Sequence, residues 1–274
     1  MLITTYGDNC VDIYDRSKRY AGGNALNTAV ALSRNGVDTA YLGAVGSDIS
    51  GWFITERLIR QHIGISGLRV IPGPTGWTRV TIREGERCFL ADHPGVQIEH
   101  RLTSRDQRTL SESNVIHCTG FTNWSESTRN SFGDYHGYVL DQLSSASASG
   151  AFVSMDFSSY RDEELYISAG GLVDLAFYSA PDISDEALTG MIKELSRYFP
   201  ITVVTRGARG SIATDGKRIW VQQPCSVQVK DTLGAGDAFI GAFLASCAAD
   251  HSIPGALKHA SVYAAEVCSR EGPW

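Results

Sequence analysis

The chain has 274 residues, 43% hydrophobic and 20% charged, with a formal net charge of −6. That length and balance suit a globular protein with a sizeable core and exclude a disordered polymer. The negative charge excludes a nucleic-acid backbone footprint, though not a small polyanion held by main-chain amides and a metal. No apolar run reaches the roughly 20 residues of a spanning helix. The first residues carry neither a basic n-region nor a cleavage site, so the expected compartment is the cytoplasm. Cys10, Cys88, Cys118, Cys225, Cys247 and Cys268 are scattered with no CxxC pair, which reads as reduced thiols.

The chain opens with an apolar strand, Leu2–Tyr6, and an extended piece, Val11–Tyr14, before Gly22-Gly23. Asn24–Asn35 has helical apolar spacing and stops at Gly36, a helix terminator. A strand over Thr39–Val45 and an amphipathic helix over Trp52–Gln61 follow. Trp77–Ile82 and Arg87–Leu90 flank Arg83-Glu84-Gly85-Glu86, the signature of a hairpin with half-exposed strands. Together with residues near 11–20, the segment near 73–92 suits a small sheet standing off the main body.

Strand and helix then alternate. Strands are expected at Asn114–Cys118, Ala151–Asp156, Leu175–Ser179 and Ile201–Thr205, with helices near Ser125–Leu143, Glu163–Ala169 and Asp185–Tyr198. Ser144–Gly150 reads as a loop by composition. Ser211–Val221 reads as two short strands around Asp215-Gly216, and the end is helical over Ala235–Ala249 and Pro254–Ser269. Such alternation predicts a mostly parallel sheet covered on both faces, in a single domain over residues 1–274.

The most informative segment is Asp231-Thr232-Leu233-Gly234-Ala235-Gly236-Asp237. Two glycines bracket an alanine just before an apolar helix, so amides and the helix dipole converge on one spot and favour an anion there. Asp237, in the first turn, is placed to accept a proton from an attacking hydroxyl. A plain acidic first-turn cap is the simpler reading of the same pattern. There is no GxxxxGK[ST] in the chain and no GxGxxG after the first strand, so neither a P-loop nor a nicotinamide oxidoreductase is indicated.

Asp231–Phe239 resembles the C-terminal signature of the ribokinase, or PfkB, family of carbohydrate kinases. Gly22-Gly23-Asn24-Ala25-Leu26-Asn27-Thr28-Ala29 with Gly43-Ala44-Val45-Gly46-Ser47-Asp48 is similar to the N-terminal one, in the required order. The resemblance covers essentially the whole chain. It implies a ribokinase-like three-layer α/β/α sandwich with a small β lid and ATP-dependent phosphorylation of a sugar hydroxyl. It further implies Asp237 as base, with Gly234, Ala235 and Gly236 as the anion hole.

It implies Gly22, Gly23, Asn27, Asp8 and Asp12 as sugar ligands, although by residue type Asn27 reads as a solvent-facing helix residue and the two acids as turn residues. Thr205-Arg206-Gly207-Ala208-Arg209-Gly210 resembles the family's nucleotide turn, implying Thr205, Gly207 and Gly210 at ATP, with Arg206 or Arg209 near the polyphosphate. Where the family has Asn-x-x-Glu to organise Mg²⁺, this chain has Pro181-Asp182-Ile183-Ser184-Asp185-Glu186. Asp182 is the candidate there, and Asp231 the candidate beside a K⁺ ion.

Gly7–Tyr14, Met155-Asp156-Phe157-Ser158, Tyr178-Ser179-Ala180-Pro181 and Gly272-Pro273-Trp274 are similar to the branch that phosphorylates O6 of fructoselysine and related glycated amino acids. Asp156 reads equally as a ligand or a loop cap. Another ketose, ribose or nucleoside kinase of the family is the alternative, and a catalytically silent sugar-binding regulator is the alternative of a different class. The expected partners are a small sugar and ATP, with neither nucleic acid nor membrane; a homodimer through the lid is a further expectation.

Overall fold

The computed structural model describes residues 1–14, 18–83, 86–119, 135–249 and 252–274. In chain order its elements are β1 (Leu2–Tyr6), β2 (Cys10–Tyr14), β3 (Lys18–Gly22), α1 (Asn24–Arg34), β4 (Asp38–Gly46), α2 (Ile49–Arg60), β5 (Gly64–Ile71), β6 (Thr75–Arg83), β7 (Glu86–Gly95), α3 (Ser104–Glu112) and β8 (Val115–Thr119). Then come α4 (Tyr135–Ser147), β9 (Phe152–Asp156), α5 (Glu163–Ala169), β10 (Leu175–Ser179), α6 (Asp185–Leu195), β11 (Ile201–Thr205), β12 (Ser211–Thr214), β13 (Ile219–Gln222), α7 (Ala235–Ala248) and α8 (Ile253–Cys268).

The large sheet has the order β13-β12-β11-β10-β9-β8-β1-β4-β5. It is parallel from β5 to β11, and β12 and β13 add antiparallel pairs at the edge. Its strands are apolar on both faces, as a sheet between two helix layers requires. In β10, Leu175 and Phe177 join the core cluster with α7 and α8, while the alternate Ala176 and Tyr178 join the cluster with α4, α5 and α6. This is the expected α/β/α sandwich with a mostly parallel sheet.

The small sheet has the order β3-β2-β6-β7, with β2 and β6 parallel. Val11 and Ala21 from its strands are buried among α1, α2 and β4 residues, so one face of this sheet is tied to the sandwich through α1.

One close crossing decides where the site lies. A Cβ on Gly241 of α7 would stand 2.5 Å from the Ala31 Cβ of α1. Glycine there lets the two helices approach closely. Because i and i+4 share a helix face, the same crossing brings Asn27, one turn before Ala31, beside Asp237, one turn before Gly241.

Several local expectations change. Ser144–Gly150 is not wholly a loop, since α4 runs through Ser147; Leu143 and Ala146 are buried in the core, and that packing outweighs the low helix preference of serine. Of the expected helix over Ser125–Leu143, residues 125–134 lie outside the described residues, as do residues 84–85 of the hairpin turn. Helix α6 stops at Leu195 rather than Tyr198, because Phe199 turns into the core ahead of Pro200, whose ring disfavours helix before it. Strand β5 and helix α3 were not expected. Thr103 and Asp106 form a reciprocal capping box on α3, which was the available sequence signal.

Candidate active site

The N-cap of helix α7 is Gly234, which is left-handed with φ 70° and contributes no side-chain cap. A Cβ there would lie 2.6 Å from the Pro273 carbonyl, so this glycine is required by the protein's own packing. Gly236 differs: a Cβ on it would meet nothing within 4 Å. An uncapped helix N-terminus with open space over a glycine fits an anionic group such as a phosphate. The Asp231 carboxylate braces the loop, accepting from Leu233 N at 2.9 Å, Gly272 N at 3.1 Å and Tyr14 OH at 3.4 Å.

Asp237 is 9% exposed. Its Oδ2 accepts from Asn27 Nδ2 at 2.8 Å, and Asn27 Oδ1 in turn accepts from the Trp274 indole N–H at 3.0 Å. Sequence reasoning placed Asn27 at the site but assigned Trp274 no contact.

The N-terminal acids differ in their contacts. Asp8 accepts from the Asn24 and Ala25 amides at 3.1 and 3.2 Å and from Thr119 Oγ1 at 3.1 Å. It therefore holds the start of α1, and burial pushes its carboxyl above the ordinary range against the pull of those bonds. Asp12 lies against the Gly22 main chain, where a Cβ would stand 2.0 Å from Oδ2, so glycine at 22 is needed for the carboxylate to sit there. Gly23, with φ 106°, is the N-cap of α1, and its missing Cβ would fall 2.5 Å from Asn9 Cα. Asn9, overlooked in the sequence, is fully buried and donates to Tyr41 OH and Ala44 O, locking this turn onto β4.

Asp156 is buried, accepting from Ser158 N at 2.7 Å and Asn24 Nδ2 at 3.2 Å. Burial, aided by the Asp8 charge, pushes its carboxyl up to about 6. The folded chain thus holds this proton more tightly than the unfolded one, and stability present in acid is lost as pH rises through that value. Asp156→Asn is expected to match the wild type at about pH 4 and to exceed its Tm by roughly 5 °C at about pH 7.5. Thermal melts at the two pH values check this, and an equal difference at both would refute it.

Asp8, Thr119, Asp156, Ser179 and Thr205 all stand at or just beyond the carboxyl ends of neighbouring parallel strands, where open α/β sheets bind ligands. Thr205 Oγ1 donates to Tyr178 O. Gly207 and Gly210 have φ 54° and 84° and shape the turn after β11. Arg206 and Arg209 both donate to Asp185 at the start of α6, so this turn is tied to α6. Asp182 is exposed after β10. Among the described residues no three His, Cys, Asp or Glu side chains gather to hold a metal ion, and no helix is long and apolar enough to cross a membrane.

The model of the pfkB family carbohydrate kinases matches residues 4–273. The chain belongs to that family. The kinase is 34% identical over 274 residues to the fructoselysine 6-kinase of Shigella flexneri, with 99% of each chain covered. It is 31% identical over 278 residues to the fructosamine kinase FrlD of Bacillus subtilis (strain 168), covering 99% of this chain and 92% of that one. A crystal structure of fructokinase with bound ATP from Xylella fastidiosa shares the fold, with a TM-score of 0.82 at 22% identity over 99% of this chain and 93% of that one. The protein is a sugar kinase with the ribokinase-like fold, and ATP is its phosphoryl donor.

Proposed function

We propose that this kinase transfers the γ-phosphoryl group of ATP to O6 of fructoselysine or a related glycated amino acid, with Asp237 as the general base. The observation that carries the base assignment is a buried carboxylate in the first turn of a helix whose N-terminus has no side-chain cap. In this reading the sugar hydroxyl gives its proton to Asp237 as its oxygen bonds to the γ-phosphorus, and the bond to the departing ADP oxygen breaks. Main-chain amides at the start of α7 take the charge on the transferring group. The open space over Gly236 supports a phosphate there.

Mg²⁺, entering with the nucleotide, would neutralise phosphate charge; without a cluster of ligands in the described protein, it is proposed as held chiefly by the nucleotide. A K⁺ ion beside Asp231 is proposed as well: that carboxylate accepts from three protein donors, and a carboxylate offers about four acceptor sites. Asp12 and Asn27 are the proposed sugar contacts, with the Gly22-Gly23 turn shaping the floor. Asp8 supports α1 from beneath. Thr205, Gly207 and Gly210 are proposed at the nucleotide because their turn ends the strand beside β10, in line with Asp156.

The acceptor class is supported by the names of the relatives, fructoselysine 6-kinase and fructosamine kinase, at 34% and 31% identity over nearly the full chain. The test is ADP release by the purified chain with ATP and Mg²⁺ against fructoselysine, fructose, ribose and nucleosides, with the product's phosphorus located by ³¹P–¹³C coupling. The expected result is highest kcat/KM for fructoselysine, with phosphate on C6. Turnover of a nucleoside or free ketose in preference to every glycated amino acid would overturn the acceptor assignment, and no ADP with any acceptor would overturn the activity.

A further inference from the structure

We propose that Trp274 is a positioning residue for the base, acting through Asn27; this rests on the reading of Asp237 as base. A carboxylate only accepts hydrogen bonds and an indole N–H only donates. Asn27, 4% exposed, lies between the two, with Oδ1 on Trp274 Nε1 and Nδ2 on Asp237 Oδ2. Flipping the amide would set two donors face to face at Trp274 and two acceptors face to face at Asp237. The indole therefore reinforces, from the Oδ1 side, the one orientation in which Asn27 offers an N–H to the base. Without that N–H, the carboxylate alone would have to hold the amide in this orientation.

Trp274 is itself held from several directions. The Arg34 guanidinium stands 5.3 Å from its ring centroid. Gly272 donates to Asp231, and its own φ of 85° seats it against the Tyr20 ring. Pro273 lies against Gly234, where a Cβ would collide with it. The segment Gly272–Trp274 thus touches the anion loop, β3 and α1 at once, and its last side chain reaches the amide that bridges α1 to α7. Base and amide sit on different helices, and Trp274 is the third element that sets their relative orientation.

The experiment compares Trp274→Phe, Asn27→Ala, their combination and Asp237→Asn in the full chain. Phenylalanine keeps an aromatic face near Arg34 and removes the N–H donor together with part of the ring volume, a packing loss that the melts report. Trp274→Phe is expected to lower kcat about tenfold while leaving KM for ATP within about twofold. Its Tm should stay within about 2 °C of wild type. In the Asn27→Ala background the same change should cost nothing further, because the interaction partner is gone. The ¹⁵N indole resonance that disappears in Trp274→Phe should shift in Asn27→Ala. Native turnover in Trp274→Phe, costs that multiply in the double variant, or a loss of kcat that merely tracks a fall in Tm would each overturn the proposal. Near-native turnover in Asp237→Asn would instead overturn the base assignment, whatever Trp274→Phe does.

Discussion

Asp237→Asn is expected to lower kcat by roughly 10²–10⁴-fold, the usual contribution of a positioned general base. Sugar affinity should hold within about threefold, because the lost function is made only as the hydroxyl attacks. The substitution is a clean probe in this structure. The asparagine carbonyl can still accept from Asn27 Nδ2, so the α1–α7 bridge survives while the negative charge and the ability to take a proton are removed. Steady-state ADP release beside calorimetric titration of the sugar decides it. Turnover near the native value would show that the proton goes elsewhere.

Gly236→Ala separates the two glycines of the anion loop. Glycine inside a helix is worth about 0.5–1 kcal/mol less than alanine, and a Cβ at 236 meets no protein atom within 4 Å. The variant is therefore expected to melt at or slightly above the native temperature. Its kcat/KM for ATP should nevertheless fall on the order of a hundredfold, because the methyl group would fill the space proposed for the transferring phosphoryl group. Gly234→Ala is the contrasting control: φ 70° and the Pro273 carbonyl 2.6 Å from the added carbon make the fold itself the casualty, at about 1–3 kcal/mol. Thermal melts and ATP titrations on both variants test the distinction, and unchanged kcat/KM in Gly236→Ala would mean that no phosphate approaches over that residue.

Much of the fold was legible because it is written in local periodicity. Leu2–Tyr6, Leu175–Ser179, Ile201–Thr205 and Glu163–Ala169 have the expected bounds in the structure. The failures have physical causes. Strand β5 carries Gly64 and Gly67 and an exposed Val70 at the sheet edge, so its alternation is blurred. Helix α3 has only Leu110 as a buried apolar anchor and is held by its capping box and the Arg69–Asp106 ion pair at 2.7 Å, neither of which leaves an apolar stripe.

By itself the sequence determined the alternation of strands and helices, the glycine loop at the head of α7 and the acid in its first turn, since each depends on neighbours within a few positions. Tertiary structure decided how the remaining side chains divide. It turned Asp8 toward the first amides of α1, committed Arg206 and Arg209 to Asp185, and used Asn27 as a bridge. It also carried Trp274 to an amide 247 positions away. Contacts of that span arise where helices cross and segments fold back, and a donor or acceptor finding its partner there leaves no repeat along the chain. Asp237 could be picked out in one dimension; the residues that hold and orient it appear only in three.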